Sequence, residues 1–196
     1  MSTKVLAVYT SAMGEHSASR DLVNHWISLQ GEVAVSHLDL SADPIPHLSG
    51  ESVGAFYTPE EQRTPEQQEL VRYSDLLIDQ VREADVIIIA SPMYNFGVPS
   101  TLKAWFDHLA RAGVTFTYTE NGPIGLLENK KAIFVTTRGA MYKDTPADFQ
   151  APYVKHFLSF IGISDFHAVY AEGMNMGTDD EKQSVIETAR VALEQV

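Results

Sequence analysis

Short apolar segments with the character of β-strands alternate along this chain with longer segments of helical periodicity. The most constraining strand is Val86–Ala90, because it is apolar on both faces and rich in β-branched residues, which is typical of a central strand in a parallel sheet. Further strands are predicted at Val5–Tyr9, Glu32–Leu40, Ala132–Thr136 and Phe166–Ala171. Parallel neighbours need crossover connections, which are usually helices, so the alternation predicts one parallel α/β sheet covered by helices on both faces.

The helical segments have recognisable ends. Leu22 and Trp26 lie at helical spacing in the first of them, and Gly31 follows as a stop signal. Thr178 precedes the last helix with Glu181 three residues later, which is the spacing of a capping box. The predicted helices are Ser19–Gln30, Pro99–Arg111, Ala151–Ile161 and Thr178–Gln195. No repeat or linker interrupts the pattern, so residues 1–196 are expected to form a single domain.

Two insertions depart from the alternation of strands and helices. Ser41–Thr64 is rich in Pro, Gly, Ser and acidic residues, and we expect it to be an irregular excursion. Thr115–Leu127 contains the dipeptide Asn121-Gly122 after an alternating polar and aromatic run, which predicts a small hairpin with a tight turn.

Charge and cysteine content exclude whole classes of function. The formal net charge is −12, which gives no general attraction for nucleic acids or anionic membranes. Cysteine is absent, so disulfides, thiolate catalysis and cysteine-based metal sites are excluded. The seven histidines are scattered without the spacing of a metal site, and we predict no metal. The N-terminal sequence has no signal-peptide pattern, so a cytoplasmic protein is expected.

The loop after the first strand offers three serine hydroxyls ahead of a helix, at Ser11, Ser17 and Ser19. Ligands of open parallel sheets bind beyond the carboxyl ends of the strands, where free backbone N–H groups at a helix start can hold a phosphate. The loop contains no lysine for a triphosphate, which favours a single terminal phosphate. A plain helix cap by Ser17 or Ser19 is equally compatible with this loop taken alone.

The loops after the third and fourth strands suggest the other half of a ligand. Ser91–Pro99 places a methionine, two aromatic residues, an asparagine and a glycine directly after a buried strand, which favours a wall for something flat over aromatic packing in the core. Thr137–Ala140 offers backbone donors and the cation of Arg138, although an ordinary turn with a surface arginine has the same sequence. A ligand with a phosphate at one end and a flat heteroaromatic ring at the other fits these loops, and FMN has that form.

At this point the chain resembles a known family, the FMN-dependent NADH azoreductases, which are also NADH:quinone reductases. One string that carries the resemblance is specific, and two shorter ones are informative in combination with it. These are Met93-Tyr94-Asn95-Phe96-Gly97-Val98-Pro99, the serines Ser11, Ser17 and Ser19, and Thr137-Arg138-Gly139-Ala140. The usual family turn is Ser-Arg-Gly-Gly, and Tyr142 stands where a histidine is common.

The resemblance implies a flavodoxin-like three-layer sandwich with a five-stranded parallel sheet of order 2-1-3-4-5. It also implies a homodimer with FMN sites at the interface, NADH as electron donor, and quinones or azo compounds as substrates. By motif match the cofactor-binding residues are Ser11, Ser17, Ala18 and Ser19 at the phosphate, Met93, Tyr94, Asn95, Phe96 and Gly97 along the flavin, and Thr137, Arg138, Gly139 and Ala140 at the polar ring edge.

Flavin chemistry needs no protein nucleophile or metal, because the cofactor carries the reaction. We expect a ping-pong cycle in which NADH passes a hydride to flavin N5 and a quinone or azo compound then takes its place. Phe96, Tyr118 and Phe160 are the predicted substrate slot, and Arg138 is the candidate for an electrostatic role near reduced flavin. The main alternative is a flavodoxin-like electron carrier without its own substrate site, whose acidic surface docks a basic partner.

Overall fold

The computed structural model of the protein describes residues 2–196. Its strands are β1 (Thr3–Tyr9), β2 (Val33–Asp39), β3 (Val86–Pro92), β4 (Phe116–Thr119), β5 (Gly122–Gly125), β6 (Lys131–Thr137) and β7 (Asp165–Ala171). Five of them form one parallel sheet in the order β2-β1-β3-β6-β7, which is order 2-1-3-4-5 when only the parallel strands are counted. The predicted sheet and its order are confirmed.

Six α-helices accompany these strands in the described part of the chain. They are α1 (Ala18–Leu29), α2 (Gly50–Tyr57), α3 (Pro65–Glu83), α4 (Ser100–Leu109), α5 (Gln150–Phe160) and α6 (Asp179–Glu194). The predicted capping box of α6 is present, since Thr178 N donates to Glu181 Oε2 at 2.6 Å and Glu181 N donates to Thr178 Oγ1 at 3.3 Å. None of the helices in residues 2–196 has the length and apolarity needed to cross a bilayer.

Helices cover both faces of the sheet, and the central residues of its inner strands are apolar on both faces. In β3, Ile87 and Ile89 face one core and Ile88 faces the other, as the period-two geometry of a strand requires. The first core adds side chains of α3, α4 and α5, among them Trp105. The second core packs α1 and α6 through Trp26 and their other apolar residues. The result is the predicted three-layer sandwich.

The expectation of an irregular excursion at Ser41–Thr64 was wrong in part, because the segment contains α2. Ser49 caps this helix by accepting a hydrogen bond from Ser52 N at 3.1 Å. Phe56 fixes it to the body of the protein, since the Arg111 guanidinium lies 4.5 Å from the centre of the Phe56 ring. The contact with Phe56 comes from the loop after α4, so the local composition did not reveal it.

The second insertion forms the predicted hairpin. Phe116–Thr119 pairs antiparallel with Gly122–Gly125, and Gly122 turns the chain with φ of 105°. Gly125 brings the hairpin against the end of α5, because a Cβ at this position would lie 2.0 Å from Gly162 N. The hairpin is therefore held beside α5 by backbone packing.

Candidate active site

Thr10–Ser19, the serine loop, connects β1 to α1 at the carboxyl edge of the sheet. Ser11, Ser17 and Ser19 are buried in it, and the hydroxyls of Ser17 and Ser19 lie 3.0 Å apart. Ser17 is the N-cap residue of α1, yet its side chain accepts no hydrogen bond from a backbone N–H of the helix. The plain-cap interpretation therefore does not describe Ser17, whose hydroxyl faces another hydroxyl.

Backbone donors at the start of α1 remain uncommitted. The first intrahelical hydrogen bond runs from Asp21 N to Ser17 O at 3.0 Å, so the N–H groups of Ala18, Ser19 and Arg20 have no partner in the helix. Free N–H groups at the positive end of a helix dipole, with two hydroxyls beside them, are chemically suited to a phosphate dianion.

Arg20 is a buried cation beside the serine loop that sequence reasoning missed. Its guanidinium pairs with Glu15 and Asp39 and lies 4.2 Å from the centre of the Tyr9 ring. Burial raises the pKa of Asp39, but hydrogen bonds from Ser41, Arg20 and the Ala42 N–H outweigh it and lower this pKa to about 2. The sequence feature that could have indicated Arg20 is its position directly after the Ser-Ala-Ser string, in the first turn of a predicted helix.

Met93–Pro99, the aromatic loop, follows β3 with a two-residue turn. Tyr94 and Gly97 exchange backbone hydrogen bonds of 3.1 and 3.0 Å, and the two residues between them have positive φ, 49° at Asn95 and 68° at Phe96. Such a turn favours Asn-Gly, so a phenylalanine at the second position is strained. No protein contact demands glycine at 97, where a Cβ would meet only Tyr94 O at 3.8 Å.

The Tyr94 hydroxyl ties the aromatic loop to the serine loop. It accepts a hydrogen bond from Ala12 N at 3.2 Å and lies 3.4 Å from Ser11 Oγ. The loops after β1 and β3 are therefore held together by a side chain that the sequence placed in the flavin wall. Because β1 and β3 are neighbouring parallel strands, the polar and aromatic groups of these two loops lie at the same carboxyl edge of the sheet.

Thr137–Ala140, the arginine turn, follows β6, and its arginine side chain is buried rather than directed toward solvent. Arg138 pairs with Asp148 at 2.8 Å and with Glu172 at 3.2 Å, and its Nε donates to Gln150 Oε1 at 3.3 Å. One cation with two carboxylates leaves a formal charge of −1 on this buried cluster. The positive field that we expected from Arg138 is therefore cancelled within the protein.

The backbone of the arginine turn keeps the predicted donors. Arg138 N donates to Ala171 O at 2.9 Å, whereas the N–H groups of Gly139 and Ala140 have no acceptor anywhere in residues 2–196. Ala140 has no positive φ, so alanine fits there. A Cβ at Gly139 would lie 2.7 Å from Asn175 Nδ2, so a larger residue there would displace the Asn175 side chain.

A pocket of about 230 Å³ lies between the aromatic loop and the arginine turn. It is lined by Met93, Asn95, Phe96, Gly139, Tyr142 and Asn175. Phe96 and Tyr142 pack edge to face in its wall, with ring centres 5.6 Å apart. Tyr142 and Asn175 were not among the predicted cofactor-binding residues, and Asn175 lies in a loop without any recognisable motif.

Two of the three predicted substrate residues do not line this pocket within one chain. Tyr118 is 73% exposed on the hairpin, and its ring contacts Phe116. Phe160 packs against the same Phe116 ring, with centres 4.4 Å apart. Phe96 alone of the three lies in the pocket wall, so a slot shared by all of them remains a prediction.

Comparison with known proteins places this architecture in a family. The family model described as "Flavodoxin-like fold" matches residues 3–196. The chain belongs to this flavodoxin-like family. Its similarity to FMN-dependent NADH:quinone oxidoreductases confirms the resemblance that the loop motifs indicated.

Curated members of the flavodoxin-like family are similar over their whole length. The FMN-dependent NADH:quinone oxidoreductase of Alcanivorax borkumensis is 48% identical, with 96% of this chain and 97% of that protein covered. The FMN-dependent NADH:quinone oxidoreductase 1 of Photobacterium profundum is 46% identical, with 99% and 98% covered. The crystal structure of an azoreductase from Bacillus anthracis matches with a TM-score of 0.87 at 27% identity and covers 99% of this chain and 100% of that one.

Proposed function

We propose that this protein is an FMN-dependent NADH:quinone oxidoreductase that also reduces azo compounds. The observation that carries the proposal is the arrangement of unpaired donors at the sheet edge. One group lies in the serine loop, another in the arginine turn, and an aromatic pocket adjoins the second. Relatives that are 43–48% identical and bear this name support it.

The serine loop fits the phosphate of FMN. Ser11, Ser17 and Ser19 would contribute hydroxyls, and Ala18 and Ser19 would contribute backbone N–H groups. The buried Ser17 and Ser19 hydroxyls have only each other as side-chain partners, so each retains capacity for a further hydrogen bond. Arg20 is already paired with Glu15 and Asp39, so the hydroxyls and the helix N–H groups are the groups left to hold the phosphate.

The aromatic loop and the arginine turn fit the flavin ring. Strands β1 and β6 lie on either side of β3, so their ends are separated by two strand spacings, roughly 10 Å. FMN carries its phosphate and its ring at opposite ends of a ribityl chain and can reach both. Met93–Gly97 would line the ring, while the N–H groups of Gly139 and Ala140 would meet its polar edge.

When bound, FMN would supply the two-electron redox chemistry that links NADH to a quinone or an azo compound. Phe96 and Tyr142, which pack edge to face, would orient the ring. The donors at Gly139 and Ala140 are fixed by backbone hydrogen bonds of their turn, so they need no reorganisation to stabilise negative charge at the ring edge. Because the pocket has one aromatic wall, NADH and the electron acceptor would occupy it in turn.

We further propose a two-fold symmetric homodimer. The pocket is small for a flavin, and exposed apolar side chains surround the site edge and the adjoining helix. They include Met13, Tyr118, Met141 and Phe149. Burial of such side chains against a second copy would bring Tyr118 and Phe160 toward a shared slot. An FMN-loaded, active monomer seen by sedimentation at micromolar concentration would contradict this assembly.

Two wider expectations belong to the same proposal. Residues 1–196 act as a single FMN-binding domain, which is supported by a family model that spans nearly all of them. The protein works in the cytoplasm, where reduced nicotinamide is available as donor. Cell fractionation with an antibody against the chain checks the location.

Steady-state kinetics test the proposed activity. FMN-loaded protein should consume NADH when a quinone is present, and initial-rate plots against NADH at several quinone concentrations should give parallel lines. Intersecting lines would indicate a ternary complex and would rule out alternating use of one slot by NADH and the quinone. Absence of NADH consumption with both quinone and azo acceptors would contradict the proposed activity.

A further inference from the structure

Gln150, the first residue of α5, is fully buried directly beneath the proposed flavin site and makes three hydrogen bonds. Its Oε1 accepts from Thr136 Oγ1 at 2.7 Å and from Arg138 Nε at 3.3 Å. Its Nε2 donates to Pro92 O at 2.9 Å. The carboxamide thus uses both its acceptor and its donor.

These partners lie in, or directly before, the two segments that are proposed to hold the flavin ring. Pro92 is the last residue of β3 and immediately precedes the aromatic loop. Thr136 and Arg138 flank the start of the arginine turn. The sheet ladder ends where Pro92 pairs with Thr137, followed by one backbone bond from Met93 N to Thr137 O at 2.9 Å. At this end of the ladder, Gln150 adds a side-chain link between the two strands and reaches Arg138 of the arginine turn.

The chemistry of this link is specific to a carboxamide of this length. A carboxylate accepts but cannot donate to Pro92 O, and an apolar side chain does neither. Asparagine has the same groups on a shorter stem, so it cannot reach both segments at once. A buried amide is stabilised only if its hydrogen bonds are made, so the geometry of each segment is tied to that of the other.

We propose that Gln150 is a positioning residue that fixes the aromatic loop relative to the N–H donors of Gly139 and Ala140. It thereby sets the orientation of the flavin ring between its aromatic wall and its polar-edge contacts. The inference rests on the proposed function, because it assigns to these segments the two sides of one bound flavin. Gln150 itself touches neither cofactor nor substrate in this account.

The test compares FMN-saturated variants with the wild type in anaerobic stopped-flow reduction by NADH. Gln150→Met keeps the shape and removes all three hydrogen bonds, and Gln150→Asn keeps the amide but shortens its reach. Thr136→Val removes one hydrogen bond and serves if the Gln150 variants do not fold. Ser74→Ala is the matched control, because Ser74 is fully buried and bonds to His108 O and Arg111 instead.

We expect flavin reduction at saturating FMN and NADH to slow by about tenfold or more in Gln150→Met, since small misplacements of reacting groups carry such costs. Gln150→Asn should also be slow, Thr136→Val should change in the same direction by less, and Ser74→Ala should match the wild type. The visible flavin spectrum should shift in the slow variants.

A merely structural role predicts a different pattern. Saturated variants would then reduce flavin at the wild-type rate with an unchanged spectrum, and only their unfolding midpoints would fall. That result, or a normal rate in Thr136→Val when the Gln150 variants do not fold, overturns the proposal. Wild-type flavin that NADH fails to reduce contradicts the proposed function itself and removes the basis for this inference.

Discussion

The serine loop and the arginine turn both lie at the carboxyl edge of the sheet, but they distribute their polar groups in opposite ways. In the serine loop, side-chain hydroxyls and helix N–H groups are left without strong partners. In the arginine turn, the Arg138 guanidinium is bound by two carboxylates and an amide. Only the backbone N–H groups of Gly139 and Ala140 remain free to bind a ligand.

The contrast shows that the residue most noticeable in a loop sequence need not be the group that is free to bind a ligand. A charged residue in a site loop attracts attention in the sequence, yet a buried charge needs compensation and is easily committed to the scaffold. Backbone donors carry no charge that needs compensation, and those of Gly139 and Ala140 remain free in the turn. We therefore expect substitution of Arg138 in the arginine turn to change mainly folding stability, and substitutions in the serine loop to change mainly cofactor affinity.

The largest effect is expected at Arg138. Arg138→Ala should lower the free energy of unfolding of the apoprotein by about 3–5 kcal/mol, because Asp148 and Glu172 are left buried without their cation. Urea denaturation measures it. Arg72→Ala is the control, since its pair with Glu69 is exposed and its loss should change the free energy of unfolding little. A stable Arg138→Ala variant that binds FMN normally but is reduced slowly would restore the electrostatic role expected from the sequence.

The serine loop should show the reverse pattern. Ser11→Ala and Ser17→Ala should each weaken FMN binding by about 1–2 kcal/mol, the scale of a hydrogen bond to a charged group. Unfolding of the apoprotein should change little. Fluorescence titration with FMN measures the affinity, and Ser28→Ala, whose hydroxyl bonds to His25 O at 2.7 Å on the same helix, is the control. Unchanged affinity in the Ser11→Ala, Ser17→Ala double variant rules out the phosphate site.

The aromatic loop provides an intermediate case. Phe96→Gly should raise apoprotein stability by about 1 kcal/mol, because glycine accepts a φ of 68° without strain. The same change should weaken FMN binding, since the pocket loses its aromatic wall. Asn95→Gly is the matched control, because asparagine tolerates a left-handed conformation and little strain is released there. If Phe96→Gly destabilises the apoprotein, the turn is not strained.

The smallest effect concerns acid stability beside the serine loop. The pKa of Asp39 is lowered to about 2 in the folded protein, against an ordinary value of 3.8. Its contribution is therefore full above about pH 4 and is lost as the pH falls through 2. Unfolding curves of the wild type and Asp39→Asn should differ at neutral pH and converge near pH 2. A gap that stays constant over this range would contradict the pairing with Arg20.

Pattern alone predicted the parallel sheet, the hairpin and the cap of α6, because each depends on periodicity or on residues close in sequence. The strand order came from the family resemblance. The helix α2 was missed, since its stability comes from Phe56 against Arg111, a contact 55 residues away in the chain. Gly and Ser in this segment indicated a loop, but Ser49 is a helix cap and Gly50 and Gly54 lie inside the helix.

The candidate site was predictable where motifs carry backbone geometry and unpredictable where pairing is tertiary. The serine and aromatic loops were located from their residues. The partners of Arg138 were not, because Asp148 and Glu172 lie 10 and 34 residues along the chain. Asn175 packs on Gly139 from another loop, so nothing near it in sequence indicates a pocket residue.

Anaerobic stopped-flow reduction of the purified, FMN-loaded protein tests the central claim most directly. NADH alone should bleach the flavin absorbance with one equivalent of FMN per chain, and a second mixing with a quinone should restore it. An electron carrier would stay oxidised until a separate reductase was added. Protein that binds no FMN, or bound flavin that NADH does not bleach, would contradict the account.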